Sequence, residues 1–180
     1  MGTKRSIFLV VSLGFLFLNG LSILYLTEHA NATVREIYVD DSFSLDRDGS
    51  AEHPFRTITQ AINLANDGDT VYVFSGTYNE SLVINKRISL IGGIDDKPSN
   101  ISRGAEHKYL IEITADFVTV ENFVIRDPER LISSQYGALI HVTSNNVVLQ
   151  QNNISQCDLW GIYLDSSDDN MISGNVINDT

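Results

Sequence analysis

The chain has 180 residues, 43% of them hydrophobic, and a formal net charge of −11 at pH 7. This length suffices for one domain with a sizeable core. So acidic a chain would repel phosphate backbones, which argues against binding to nucleic acid. Its single cysteine, Cys157, excludes an internal disulfide, so stability has to come from packing.

Residues 1–32 have the pattern of an export signal. Two basic residues near the start precede an apolar run at residues 7–26, and Ala30-Asn31-Ala32 places small residues at the two positions that a signal peptidase reads. We therefore expect the folded domain to comprise residues 33–180 and to be secreted or displayed at the cell surface. The apolar run is also long enough to span a bilayer, so an uncleaved N-terminal membrane anchor is the alternative.

The first predicted elements of the domain are a strand and a helix. Ile37-Tyr38-Val39 is predicted to be a strand, and a polar loop rich in Asp, Ser and Gly follows it. Apolar residues then recur at helical spacing between residues 55 and 66, and Thr57 or Thr59 can cap their start. This pattern predicts one short amphipathic helix. A stack of coils has an open apolar end, and this helix is placed to cover it.

Pairs of apolar residues two apart follow the helix, separated by Gly, Asn and Asp turns. Such spacing turns both side chains of a pair to one side of a strand. Short strands with no helices between them rule out a doubly wound α/β fold. The side chains that we expect inside are Val71, Val73, Ile88, Leu90, Ile111, Ile113, Val118, Val120, Ile140, Val142, Leu149, Ile162, Leu164 and Ile172.

The second half of the chain repeats one template. Residues 118–125, 147–154 and 170–177 carry apolar residues at matching places, with steps of 29 and then 23 residues. Steps of this length are typical of successive coils in a solenoid of parallel strands. Two strands per coil are directly visible, and Phe123-x-Ile125 implies a third, shorter one.

Asn152 and Asn175 occupy the same place in consecutive coils. Asparagine tolerates left-handed backbone conformations, and stacked Asn side chains can hydrogen-bond along a ladder between paired strands. We expect both features here, as turn chemistry and not as catalysis.

The end of the sequence lies inside a repeat, with no amphipathic cap after it. We therefore expect the domain to be incomplete at its C-terminus and to self-associate through the uncapped C-terminal coil.

Two stretches resemble known families. The motifs Pro54-Phe55-x-Thr57-Ile58, Gly68-Asp69-Thr70-Val71-Tyr72-Val73 and Gly76-Thr77-Tyr78 resemble the opening of secreted β-helix proteins of the pectin-lyase-like superfamily. Residues 161–177 resemble the repeats of NosD-like β-helix proteins. The resemblance implies an all-β solenoid, a right-handed parallel β-helix with a short N-terminal capping α-helix. It is specific for fold and weak for activity, because this fold carries lyases, hydrolases, esterases and adhesins alike.

No catalytic constellation is recognised. The chain resembles this fold, and the polysaccharide lyases of the fold use clustered Asp residues and an Arg or Lys base. The charged cluster at residues 126–130 matches no lyase signature. Asp165, Asp168 and Asp169 could supply the paired carboxylates of a glycoside hydrolase, although acidic turn residues are more often solvated. Pectin methylesterase activity is disfavoured, because its downstream catalytic Asp motifs have no counterpart in this sequence.

No cofactor or metal site is predicted. The NosD resemblance suggests copper, but the His and Cys residues lie in different coils, and His141 is expected to point outward alone. Asp46-x-Asp48-Gly49-Ser50 resembles part of a calcium loop without its bidentate Glu, so structural calcium at that loop is the one open alternative.

Aromatic residues indicate a binding site more clearly than the charged residues do. Tyr136 and Trp160 each immediately precede a glycine and a strand, and Tyr163 alternates with inward Ile162 and Leu164 and should face outward. Flat aromatic faces displayed on a sheet suit sugar rings. The predicted substrate-binding residues are therefore Tyr136, Trp160 and Tyr163. The competing interpretation is that Trp160 folds over the edge of a coil and shields it.

Together these features predict an exported cell-surface or extracellular β-helix module with a binding or structural role. Its predicted partner is a polysaccharide or a cell-surface glycan. The alternative is the N-terminal part of a carbohydrate-active enzyme, a polysaccharide lyase or a glycoside hydrolase.

Overall fold

The structure is a computed structural model of the chain and describes residues 13–18, 21–26, 33–43, 47–102, 108–128, 137–157 and 159–178. The chain divides into two compact units, Met1–Thr33 and Val34–Thr180. In the first unit, two strands form an antiparallel pair. None of the helices in the described ranges is long and apolar enough to cross a membrane. The export signal or anchor at residues 1–32 stays a prediction.

The described residues form strands and one helix. In chain order these are β1 (Leu13–Leu18), β2 (Leu21–Leu26), β3 (Glu36–Val39), α1 (Ile58–Leu64), β4 (Thr70–Val73), β5 (Gly76–Asn79), β6 (Leu82–Ile84), β7 (Ser89–Ile91), β8 (Ser99–Ser102), β9 (Tyr109–Ile113), β10 (Thr119–Glu121), β11 (Phe123–Arg126), β12 (Ala138–Val142), β13 (Val148–Gln150), β14 (Asn153–Ser155), β15 (Trp160–Leu164), β16 (Met171–Ser173) and β17 (Val176–Asn178).

The second unit is built from three parallel sheets. Sheet I has the order β3-β4-β7-β10-β13-β16, sheet II the order β5-β8-β11-β14-β17, and sheet III the order β6-β9-β12-β15. From β4 onward the chain visits sheets I, II and III in turn, and each visit adds a strand beside the previous one. This confirms the right-handed parallel β-helix and the third strand of each coil.

The repeat spacing in the sequence is the length of one coil. Val120 pairs with Leu149, and Leu149 pairs with Ile172. Stacking in register puts equivalent apolar residues on top of one another, which builds a continuous core. Most of the side chains predicted to be inside are buried, but Ile162 is only half-buried, and Leu164 and Ile172 are 40% and 43% exposed. The prediction that these three side chains are buried is therefore corrected. They lie on β15 and β16, where no described strand packs on their outer side.

Helix α1 packs on the first strands of the stack, as predicted. It contacts β3, β4 and β6, and its apolar face is buried through Ile58, Ala61 and Ile62. The Thr57 side chain accepts a hydrogen bond from the Gln60 backbone N–H and so caps the first turn.

The asparagine ladder is confirmed, but the left-handed position was misplaced. The Asn152 side chain accepts from the Phe123 N–H at 3.0 Å and donates to the Asn175 side chain at 3.1 Å. The residue with positive φ is the one before the ladder position in each coil, Gln151 at 55° and Gly174 at 64°. Each ladder asparagine instead directly precedes the next strand, β14 or β17.

Candidate functional site

The outer face of sheet III carries the chemically richest surface among the described residues. Val83, Glu112, His141 and Tyr163 lie side by side on β6, β9, β12 and β15. On β9 and β12 the residues flanking these positions are fully buried. Alternation along a strand therefore turns Glu112 and His141 outward.

An irregularity at the start of three strands turns a second set of side chains outward. The pairing matches Tyr109 with Ala138 and Ala138 with Trp160, then resumes two residues later and skips the residue between. The skipped residues Leu110 and Leu139 belong to the core. A Cβ on the third, Gly161, would lie 2.9 Å from Ile177 Cγ2 and 3.1 Å from Ile154 Cγ2, so this position also faces inward.

The second set, Tyr109, Ala138 and Trp160, thus shares the outer face with Glu112, His141 and Tyr163. An extra inward residue breaks the period of two, as a β-bulge does. Tyr109 and Glu112 on β9, and Trp160 and Tyr163 on β15, are consequently three residues apart and still on the same face.

Four rings on this face stack in a continuous row, which we call the ring row: Tyr109, His141, Tyr163 and Trp160. The centroid separations are 4.0 Å between Tyr109 and His141, 5.3 Å between His141 and Tyr163, and 5.0 Å between Tyr163 and Trp160. The interplanar angles are 18° to 24°. The prediction that His141 points outward alone is wrong: it does face outward, but it lies between two tyrosines of neighbouring coils.

His141 is also flanked by two carboxylates. Its Nδ1 lies 3.9 Å from Glu112 Oε1, and its Nε2 lies 3.7 Å from Asp165 Oδ2. Both distances exceed hydrogen-bond length. His141 as a whole residue is 5% exposed, and neither ring nitrogen has a hydrogen-bond partner among the described residues. The carboxylates are more open, at 39% and 46% exposed.

A groove of about 410 Å³ opens beside this arrangement. Its lining residues are Ser81, Leu82, Val83, Lys108, Tyr109, Glu112, His141 and Asp165. The Lys108 ammonium lies 4.8 Å from the centroid of the Tyr109 ring. The hydrogen bond with Tyr109 raises the pKa of Lys108, so this side chain stays cationic at neutral pH. The groove therefore combines stacked rings, two carboxylates and one ammonium group.

Comparison with known proteins identifies the family of this chain. Residues 44–180 match the sequence profile of DUF1565, described as a protein of unknown function. The chain belongs to the DUF1565 family. No curated protein matches it.

Solved structures similar to this DUF1565 protein include pectin methylesterases. A mutant pectin methylesterase in complex with a hexasaccharide has 18% identity and a TM-score of 0.57, over 83% of this chain and 51% of that one. The Aspergillus niger enzyme has 13% identity and a TM-score of 0.56, over 80% and 50%. The Erwinia chrysanthemi enzyme has 17% identity and a TM-score of 0.51, over 83% and 51%.

These similarities bear on the fold alone. The DUF1565 chain spans about half the length of the structures that it matches. At the level of the fold, the similar structures confirm the resemblance to pectin-lyase-like β-helix proteins. The resemblance of residues 161–177 to NosD-like repeats stays a prediction.

The structure brings two of the three predicted binding residues together. Trp160 and Tyr163 are adjacent members of the ring row, and Trp160 is 39% exposed. Tyr136 lies outside the described residues, so its role stays a prediction. Sequence reasoning missed Tyr109 and Glu112. One signal was available for Glu112, since it is the middle residue of Ile111-x-Ile113, just as His141 and Tyr163 are the middle residues of the equivalent pairs.

The acidic residues considered for hydrolysis are not all in one place. Asp165 lines the groove. Asp168 lies in the turn that follows, where its backbone N–H donates to Asn145 Oδ1 at 2.7 Å, and Asp169 has a left-handed backbone with φ of 55°. The carboxylate that faces Asp165 across His141 is Glu112, which the sequence did not single out.

No group of three His, Cys, Asp or Glu side chains within the described residues could hold a metal ion. Asp46 of the calcium-like loop lies outside the described residues. The carboxylate of Asp48 accepts a hydrogen bond from the Ser50 N–H at 2.9 Å, which is turn chemistry. Structural calcium at this loop stays a prediction.

Proposed function

We propose that this protein is an exported β-helix module that binds carbohydrate through the ring row and the adjoining groove. The observation that carries the proposal is the combination of an exposed Trp160 at the end of a stack of rings with two open carboxylates beside His141 in the same stack. Sugars present flat C–H surfaces edged by hydroxyl groups. A site for them needs an apolar face next to hydrogen-bond acceptors.

Trp160 is the ring best suited to stack on a sugar. Tyr163 already stacks with both His141 and Trp160, and Tyr109 stacks with His141 and lies under the Lys108 ammonium. Trp160 has one ring partner among the described residues and is the most exposed of the four rings. The role first expected of Tyr163 therefore shifts: it supports the Trp160 ring from the next position along the row.

A purely structural role accounts for only part of this surface. Stacked rings on neighbouring strands stabilise a sheet by roughly 0.2–1 kcal/mol per pair, which would explain the contacts of Tyr109 and His141. The carboxylates of Glu112 and Asp165 are also 39% and 46% exposed, which leaves acceptor oxygens open to a ligand. Carboxylate oxygens are groups to which sugar hydroxyls can donate hydrogen bonds.

The test is a titration of Trp160 fluorescence, the only tryptophan signal of the chain, with neutral and acidic polysaccharides. Each stacked ring should contribute on the order of 1 kcal/mol, giving millimolar to high-micromolar affinity. Trp160→Ala, assayed by affinity electrophoresis, should then lose about fivefold in affinity. The control is Phe117→Ala, which removes an exposed ring outside the ring row. Equal retention of wild type and Trp160→Ala would move the site elsewhere.

A catalytic role is the second candidate, and one observation favours it. Glu112 and Asp165 flank His141 in one groove, and glycoside hydrolases act through two carboxylates placed around the scissile bond. Release of reducing ends from a bound polysaccharide, abolished by Glu112→Gln and by Asp165→Asn, would establish it. Binding without release under all conditions would leave the binding module.

Export is the remaining part of the proposal and rests on residues 1–32. A mature protein that begins near Thr33 is expected, because the apolar run is followed by Ala30-Asn31-Ala32. N-terminal sequencing of material collected outside the cell decides this. An intact Met1 on a membrane-bound product would show an anchor instead.

A further inference from the structure

The row formed by Glu112, His141 and Asp165 indicates which kind of sugar the groove prefers. At its centre, His141 is only 5% exposed, yet both of its ring nitrogens lack hydrogen-bond partners among the described residues. A buried polar atom without a partner is costly, and native proteins rarely leave one. His141 also lines the groove, where Glu112 and Asp165 flank it.

The charges around this histidine are mostly negative. Glu112 and Asp165 approach it from β9 and from the residue after β15, at 3.9 Å and 3.7 Å. The ammonium group of Lys108 lines the groove and lies over the Tyr109 ring. The hydrogen bond to Tyr109 is the main cause of its raised pKa, and the negative charge of Glu112 contributes to it. The described groove thus carries two carboxylates against one ammonium, on a chain whose net charge is −11.

We infer that the groove selects sugars that carry a free amine over neutral sugars and over uronates, a conclusion that rests on the proposed carbohydrate binding. A protonated amine has three donors, which the Glu112 or the Asp165 carboxylate can accept as charge-assisted hydrogen bonds. A uronate would place a third carboxylate among these two and would be repelled, both locally and by the field of the acidic chain.

The test compares four soluble oligosaccharides of equal length on the full chain. They are a β-1,4-linked glucosamine oligomer, its N-acetylated form, the corresponding glucose oligomer and a galacturonate oligomer, at a pH where the free amine is protonated. Affinities are measured by calorimetry for wild type, Glu112→Gln and Asp165→Asn. The matched control is Asp168→Asn, which removes an equal charge from an exposed turn outside the lining of the groove.

The amine oligomer should bind about tenfold more tightly than its acetylated form, and added salt should reduce the difference because the attraction is electrostatic. Each groove variant should remove most of this preference, and Asp168→Asn should preserve it. Equal binding of the amine and acetylated forms, still sensitive to Trp160→Ala, would overturn this inference and leave the proposed function standing. Tighter binding of galacturonate would also overturn it. Absence of binding to all four oligomers, and to the neutral and acidic polysaccharides of the fluorescence titration, would overturn both.

Discussion

The Tyr109 ring stacks on the His141 ring at 4.0 Å, although the strand register pairs Tyr109 with Ala138 and not with His141. Ala138 is 1% exposed but does not belong to the core cluster. Its small side chain leaves room on the outer face, so the tyrosine of the neighbouring strand can lean across it to reach the histidine. The continuity of the ring row therefore depends on the small side chain of Ala138.

A larger residue at position 138 should interrupt the ring row. In Ala138→Leu the added carbons would occupy the space beneath the rings, separate Tyr109 from His141 and weaken carbohydrate binding. Overpacking of this kind costs about 1–3 kcal/mol of stability. Near-ultraviolet circular dichroism and oligosaccharide titration measure the two effects, with Ala138→Ser as the size-matched control. Unchanged affinity and unchanged aromatic signal in Ala138→Leu would contradict this account.

The asparagine ladder should make a measurable contribution to stability. The Asn152 side chain accepts from the Phe123 N–H and donates to the Val120 carbonyl at 3.0 Å each, and it is 1% exposed. In Asn152→Leu the Phe123 N–H is left buried without a partner, which costs about 1–3 kcal/mol. The urea midpoint should fall accordingly. Asn153→Leu, at the exposed neighbouring position, should change it little, and equal midpoints for the two variants would argue against the ladder's role.

Acid should remove the stabilisation that Asp69 provides. Burial alone would raise the pKa of Asp69, but hydrogen bonds from the Asn66 and Arg35 N–H groups and from the Arg35 guanidinium outweigh it and hold the pKa below its ordinary value. A lowered pKa in the folded state gives stability that is complete above the ordinary carboxyl pKa and is lost as the pH falls through the lowered value.

Asp69→Asn should therefore lower the free energy of unfolding at neutral pH by about 1–3 kcal/mol, with a smaller difference from wild type in strong acid. Urea denaturation at several pH values measures this, with Asp168→Asn as the exposed control. A difference that stays constant down to strongly acidic pH would show that charge is not the cause.

The last described strands should make a polypeptide of residues 33–180 prone to association. Met171, Ile172, Val176 and Ile177 on β16 and β17 are 49%, 43%, 55% and 51% exposed, and unpaired strand edges invite further pairing. Sedimentation velocity at micromolar concentrations should reveal oligomers. Replacing Ile177 with Lys should reduce them, because a charge at an exposed edge disfavours pairing. A monomer at all concentrations in the unsubstituted chain would contradict the expectation.

The course of the backbone could be predicted from the sequence because it depends on local patterns. Val120, Leu149 and Ile172 recur at coil length, and parallel stacking requires only that equivalent apolar residues fall in register. The helix over Ile58–Leu64 likewise follows from its own spacing and from its cap at Thr57. Strand β8 was harder to foresee, since buried Ser99 at its start is held by hydrogen bonds to the carbonyls of Val73 and Phe74 and not by an apolar pattern.

The site was decided by the tertiary structure. Alternation alone places Tyr163 and His141 outward, but Tyr109 and Trp160 reach the same face only because Leu110 and Gly161 turn inward and shift the period. That shift is a packing choice of the stacked core, and it has no local signature in a single strand. The stacking of Tyr109 on His141 and of His141 on Tyr163, and the carboxylates around His141, then arise between side chains about one coil apart in the chain, whose contacts exist only once the coils are stacked.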